Sequence, residues 1–122
     1  MGRNDMAGGV TKPGKQNWIG LIARSKSQKI PFDEVLYIEQ VGKYLLIHKD
    51  EYSIHVPGRI SKISSSVGEP LFQCHSYLIV NISRVNVMTK GEIIFDNRMS
   101  THLGERNYYK TRKKFNQYLL GE

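Results

Sequence analysis

A mainly β fold, closed by one short connecting helix and a C-terminal helix, is what this sequence predicts. Short apolar, β-rich runs recur at close intervals with turn-forming residues between them. Only the run nearest the C-terminus sustains helical spacing of its apolar residues. The length, 122 residues, suits one domain with one core rather than two.

Residues 1–16 are Gly-rich, contain Pro13 and show neither strand nor helix periodicity, so they read as a disordered basic arm or linker ahead of a single domain over 17–122. Trp18 to Arg24 and Gln28 to Pro31 read as a hairpin about Ser25–Ser27, with Trp18 as a core anchor. Phe32-Asp33-Glu34 makes a tight turn before the buried-strand run Val35 to Glu39. Gly42 breaks that run and Tyr44 to His48 resumes it, which puts Gln40 to Lys43 at a hairpin tip. After the turn at Lys49-Asp50-Glu51, Tyr52 to Val56 is a further strand, closed by Pro57-Gly58.

From Arg59 to Val67 the apolar residues Ile60, Ile63 and Val67 stand three and four apart, the spacing of one helical face. Three consecutive serines make it a poor helix former. It is expected to cover one end of the sheets. Val85 to Met88 and Glu92 to Asp96 flank Thr89-Lys90-Gly91 as a hairpin, and Asp96-Asn97 turns the chain into Met99 to Leu103. At 100° per residue, Glu105 to Leu120 places Tyr108, Thr111, Phe115, Tyr118 and Leu119 on one face and Arg106, Lys110, Lys113 and Lys114 on the other.

The stretch Leu71 to Ile82 stands apart. Two large apolar residues lead into four that hydrogen-bond or ionise (Gln73, Cys74, His75, Ser76), and the chain is then apolar until Asn81. Burying both flanks leaves a polar notch. Either it is an ordinary turn whose side chains satisfy nearby backbone groups, or it is a loop presented to a partner.

Charge narrows the choice of partner. Eighteen Lys and Arg against 11 Asp and Glu give a net charge of +7, the footprint expected for a polyanion. Five of the 18 basic residues fall between Arg106 and Lys114, which argues against an even spread. A basic helix face is by itself only a solvated face. At its start, however, free backbone N–H groups also favour anions, so Arg106 and Asn107 are candidates for phosphate or base contact.

Other classes fare poorly. One cysteine, Cys74, excludes an intramolecular disulfide and fits a reducing compartment. No run approaches the roughly 20 apolar residues of a membrane span, and residues 1–16 lack the apolar segment of a signal peptide, so a cytoplasmic location is expected without membrane insertion. Histidines 48, 55, 75 and 102 are scattered, no metal-ligand spacing or phosphate-binding Gly loop is present, and adjacent Cys74 and His75 would point to opposite faces of a strand. The reading is therefore no enzyme, no cofactor and no metal. Of the seven tyrosines, Tyr44 and Tyr77 lie near the notch and most others read as core.

Ile30-Pro31-Phe32-Asp33-Glu34-Val35-Leu36-Tyr37-Ile38-Glu39, then Gly42-Lys43-Tyr44 and Ile47-His48, then Phe72-Gln73-Cys74-His75-Ser76-Tyr77 with Val80-Asn81, and finally Gly91 to Phe95 resemble the LytTR DNA-binding domain of bacterial transcriptional regulators. The resemblance spans roughly residues 17 to 120 and rests on the two longer pieces in combination. It implies an elongated fold of small antiparallel sheets in which loops, not a recognition helix, enter successive major grooves of double-stranded DNA. Carried over by residue, those loops supply Lys43 and Tyr44; Gln73, His75 and Ser76; and Arg106 with Asn107 and Lys110. The family often carries arginines around the notch where this chain has Gln73 and Ser76. Each guanidinium lost removes about 1–3 kcal/mol of base discrimination.

The expected role is sequence-specific DNA binding by a response-regulator output domain of a two-component system, with a second protomer on repeated sites implied by the family. The usual receiver domain does not fit in this length, so the chain is either a piece of a longer protein or a receiver-less member. The alternatives are an interaction module of a receiver-less regulator controlled by a partner protein, and a small RNA-binding β fold.

Overall fold

In a computed structural model, residues 17–122 are described, and the expectation for residues 1–16 lies outside them. Among the described residues, ten strands form three antiparallel sheets. Strands β1 (Trp18–Ile22) and β2 (Ser27–Pro31) pair alone. Strands β3 (Tyr37–Val41), β4 (Tyr44–His48), β5 (Ser53–Pro57), β6 (Leu71–His75) and β7 (Leu78–Asn81) form a central sheet in the order β5-β4-β3-β7-β6. Strands β8 (Val85–Thr89), β9 (Gly91–Phe95) and β10 (Ser100–Leu103) form the third. Helix α1 (Ile60–Ile63) links β5 to β6, and α2 (Glu105–Leu119) ends the chain.

Strand alternation explains why the central sheet carries a core on each face. Ile38, Leu45, Ile47, Val56, Leu71 and Ile79 point to one side and bury against Ile19, Leu21 and Ile30 of the β1–β2 pair and Ile60 and Ile63 of α1. Tyr37, Leu78, Val80 and Cys74 point to the other, against Ile93, Phe95 and Leu103 of the third sheet and Tyr108 and Phe115 of α2. Burying one such Leu, Ile or Phe side chain contributes roughly 1.5–3 kcal/mol.

Polar side chains tie the layers. Asn81, wholly buried, donates to the carbonyls of Phe32 and Val35 at 2.9 and 2.8 Å and accepts from Ser83 N and Oγ at 3.0 and 2.6 Å. Arg84 joins three segments: Nε and one Nη bond Asp96, the same terminal nitrogen reaches Asp50 at 2.6 Å, and the other donates to the Asp33 carbonyl at 3.0 Å. Those carboxylates hold the guanidinium firmly protonated, and Arg84 in turn holds the Asp96 carboxyl below its ordinary range.

Several expectations need correction. The strand expected from Val35 begins at Tyr37, because the Val35 N–H closes a 3-10 turn on the Phe32 carbonyl. The helix expected over Arg59 to Val67 is a single α turn followed by a 3-10 turn at Ser64–Ser66, as three low-propensity serines would have it. Trp18 is only half-buried, with Lys29 Nζ 5.0 Å above its ring, so Ile19 and Leu21 anchor the first strand instead. Of the tyrosines away from the notch, Tyr37 and Tyr108 are core, whereas Tyr52, Tyr109 and Tyr118 are exposed. On α2, Tyr108, Thr111 and Phe115 are buried but Tyr118 and Leu119 are 48% and 63% exposed. Periodicity gives a direction around a helix, not how far along it the partner surface extends.

Candidate nucleic-acid interface

Strand pairing brings two chain reversals and the segment leading into α1 to one end of the central sheet. Val41 pairs with Tyr44, Tyr44 with Pro57, Glu39 with Leu78, and His75 with Leu78. The Gly42-Lys43 turn, the Pro57–Arg59 segment and the Ser76-Tyr77 turn therefore share a rim. Two hydrogen bonds stitch it: Gln40 N–H donates to the Tyr77 carbonyl and Gly58 N–H to the Lys43 carbonyl, both at 3.0 Å. Gly42, at φ +61°, makes the two-residue reversal that leaves Lys43 exposed. Tyr44 follows at the start of β4, half exposed, its ring 4.5 Å from that of His55.

The notch is a β-bulge. Gln73 pairs with Ile79 and His75 with Leu78, so Cys74 is the extra residue on β6. Strict alternation, which would separate Cys74 and His75, fails here: both feel the charge of Lys110 on α2. Gln73, opposite Ile79, sits on the other face, and its amide donates back to the His75 carbonyl at 3.3 Å. Thus the structure brings His75 to Lys110 but not Gln73. Ser76 lies exposed in the turn.

His75 Nδ1 accepts the Tyr77 N–H at 3.1 Å, which leaves its proton on Nε2. Burial first, and Lys110 second, lower its pKa from 6.5. Near neutral pH the ring is a neutral N–H donor. Cys74 is buried, its thiol pushed up to about 11 chiefly by burial, against smaller opposing effects of Thr111, Lys110 and the Val80 backbone.

Helix α2 starts beside β8 and β9. Lys90, at their turn, lies 3.6 Å from Glu105 and 5.7 Å from the Tyr109 ring. Arg106 is exposed in the first turn, with Lys110 four residues on along the same face. Asn107 is half-buried: its N–H bonds the Gly104 carbonyl and its carbonyl accepts from Thr111 Oγ1 at 2.8 Å. Lys114, expected on the free basic face, instead bonds Glu69 at 2.6 Å. Among the described residues, ion pairs engage Lys49, Arg84, Lys90 and Lys114, while Lys43, Arg59, Arg106 and Lys110 have no acid within 4.0 Å.

One polar string stands apart from the residues that sequence spacing singles out. Ser53 Oγ lies 2.7 Å from His48 Nδ1, and His48 Nε2 lies 2.9 Å from Glu39. The His48 ring stacks on Tyr37 at 4.1 Å, and Tyr37 on Phe95 at 5.2 Å. The string ties β3, β4 and β5 to each other and to β9. The clue available was His48 and Ser53 at the two ends of a short turn, as cross-strand neighbours are.

A family model for the LytTr DNA-binding domain matches residues 25–116. The chain belongs to the LytTR family. The LytTr DNA-binding domain of a response regulator from Bacillus cereus has a similar solved structure, with a TM-score of 0.65 at 17% identity over 84% of this chain and 98% of that one. Comparison with curated protein sequences gives no significant match. LytTR membership accounts for the mainly β arrangement of small antiparallel sheets with two helices, and it identifies the chain as a domain of a DNA-binding, transcription-regulating class. Among the described residues no helix is long and apolar enough to cross a membrane, and no group of three His, Cys, Asp or Glu could hold a metal.

Proposed function

We propose that this LytTR domain binds double-stranded DNA sequence-specifically for a bacterial transcription regulator, presenting the rim of the central sheet and the start of α2 to successive major grooves. The observation that carries this reading is the continuity of the cationic and donor groups. Lys43 and Tyr44 adjoin the Ser76-Tyr77 turn through Gln40, His75 follows, and Lys110 then leads to Arg106. None of these cations is neutralised by a neighbouring acid among the described residues. Lys43 and Lys110 draw the phosphates, Arg106 and the His75 Nε2–H read base acceptors, and Asn107 helps hold the first turn of α2.

Selection on random duplexes followed by sequencing tests the reading. The expected result is one motif that recurs at about one helical turn, bound by two protomers, with affinity falling steeply as salt rises. Recovery of no motif, or an affinity indifferent to salt, overturns it. Competition by single-stranded RNA as strong as by duplex favours the RNA-binding alternative.

A further inference from the structure

The Gly58 N–H to Lys43 carbonyl bond sets beside the Lys43 tip a cation that sequence spacing did not single out. Arg59 occupies the position just before α1, where Ser, Thr, Asp or Asn would cap the first turn, and it makes no capping hydrogen bond. The first N–H of that turn, from Ile60, is satisfied instead by Gln40 Oε1 at 2.8 Å. Gln40 also uses its Nε2 to gather the carbonyls of Gly42 at 2.9 Å, Tyr44 at 3.2 Å and Gly58 at 2.8 Å. One amide on β3 thus joins both ends of the Gly42-Lys43 turn to the backbone on either side of Arg59. The Gly58 N–H to Lys43 carbonyl bond closes the same junction. A side chain at Gly58 would bring its Cβ within 3.1 Å of Leu45 Cδ1, so the segment sits close against β4.

A capping position given to an exposed guanidinium that no acid among the described residues pairs breaks a local rule while a distant residue makes up the loss, a pattern that marks a functional position. We infer that Arg59 is a further DNA-contacting residue, held beside Lys43 by Gln40, which is a positioning residue for the whole tip. The contacted group is a phosphate or a base edge of the same duplex. This inference rests on the DNA-binding reading above.

The test uses the full chain with two probes, a random-sequence duplex and the motif recovered by selection. Arg59→Ala is expected to weaken binding by about tenfold and to lower the steepness of the salt dependence by about one. Arg59→Lys should restore the salt slope, and with it most of the affinity if the contact is a phosphate; loss of affinity for the motif alone marks a base edge. Arg24→Ala, at another exposed cation on the β1–β2 turn, serves as the charge control and is expected to leave the motif affinity near wild type. Gln40→Met removes four hydrogen bonds without adding charge; in this background Arg59→Ala should cost much less than in wild type. Wild-type protein that binds neither probe overturns the DNA-binding reading itself. If wild type binds but Arg59→Ala matches it, or loses no more than Arg24→Ala, only the role of Arg59 falls. Full additivity of Gln40→Met and Arg59→Ala removes the positioning role.

Discussion

The Nδ1 nitrogen of His75 accepts the backbone N–H of Tyr77 at 3.1 Å. That bond fixes the tautomer, and in the proposed interface the tautomer fixes what the ring would offer DNA: an N–H for an acceptor such as guanine N7 or O6. Long-range proton–nitrogen NMR at neutral pH is expected to show a neutral ring protonated on Nε2. A ring protonated on Nδ1 would contradict the assignment.

The same ring predicts a pH dependence. Its folded pKa lies below 6.5, so the unfolded chain binds more protons in the interval between the two values. The contribution to stability is therefore full above about pH 6.5 and is lost as pH falls through the folded value. Urea titrations of wild type and His75→Gln should differ by an amount that shrinks steadily as the medium is acidified below that point.

Arg106 and Lys110 stand one turn apart on α2 and are expected to fail differently. Arg106→Ala should cost about 1–3 kcal/mol on the selected motif and relax base preference. Lys110→Ala should weaken all duplexes alike and reduce the salt slope by about one. Gel shift or anisotropy on matched and mismatched duplexes, over a salt series, separates the two.

Asn81 is the most exacting polar position in the core, with both amide hydrogens and its carbonyl engaged. Asn81→Ala leaves the carbonyls of Phe32 and Val35 short of donors and should destabilise by about 3 kcal/mol. Asn81→Asp should be worse, since a carboxylate cannot donate to those carbonyls and is buried as a charge. Denaturant midpoints should move with little change in slope.

Cys74, with its thiol pushed up to about 11 by burial, should resist thiol reagents in the folded protein at pH 8 and react at once in denaturant. Rapid labelling of the folded chain would show an accessible thiolate at the bulge instead.

Much of this was legible along the chain. Gly42, Lys90-Gly91 and Asp96-Asn97 announced their turns, and the short apolar runs Val35–Glu39 and Tyr44–His48 announced strands. Those signals are local, set by backbone sterics and by the two-residue period of a strand. The concentration of basic residues from Arg106 to Lys114 was legible for the same reason, because helical spacing is a local rule.

What sequence could not state is which reversals meet. The β5-β4-β3-β7-β6 order places two turns and the segment before α1 at one end, and it follows from which apolar faces find cover, a contest settled over the whole chain. The bulge that turns His75 toward α2, the separation of Gln73 onto the opposite face, and the reach of Gln40 to Gly58 and Ile60 all depend on partners distant in sequence. By itself, then, the sequence determined the mainly β class, the LytTR resemblance and the basic start of the last helix. Tertiary structure alone decided which cations stay unpaired and stand together, because neutralisation by an acid is a matter of distance in space.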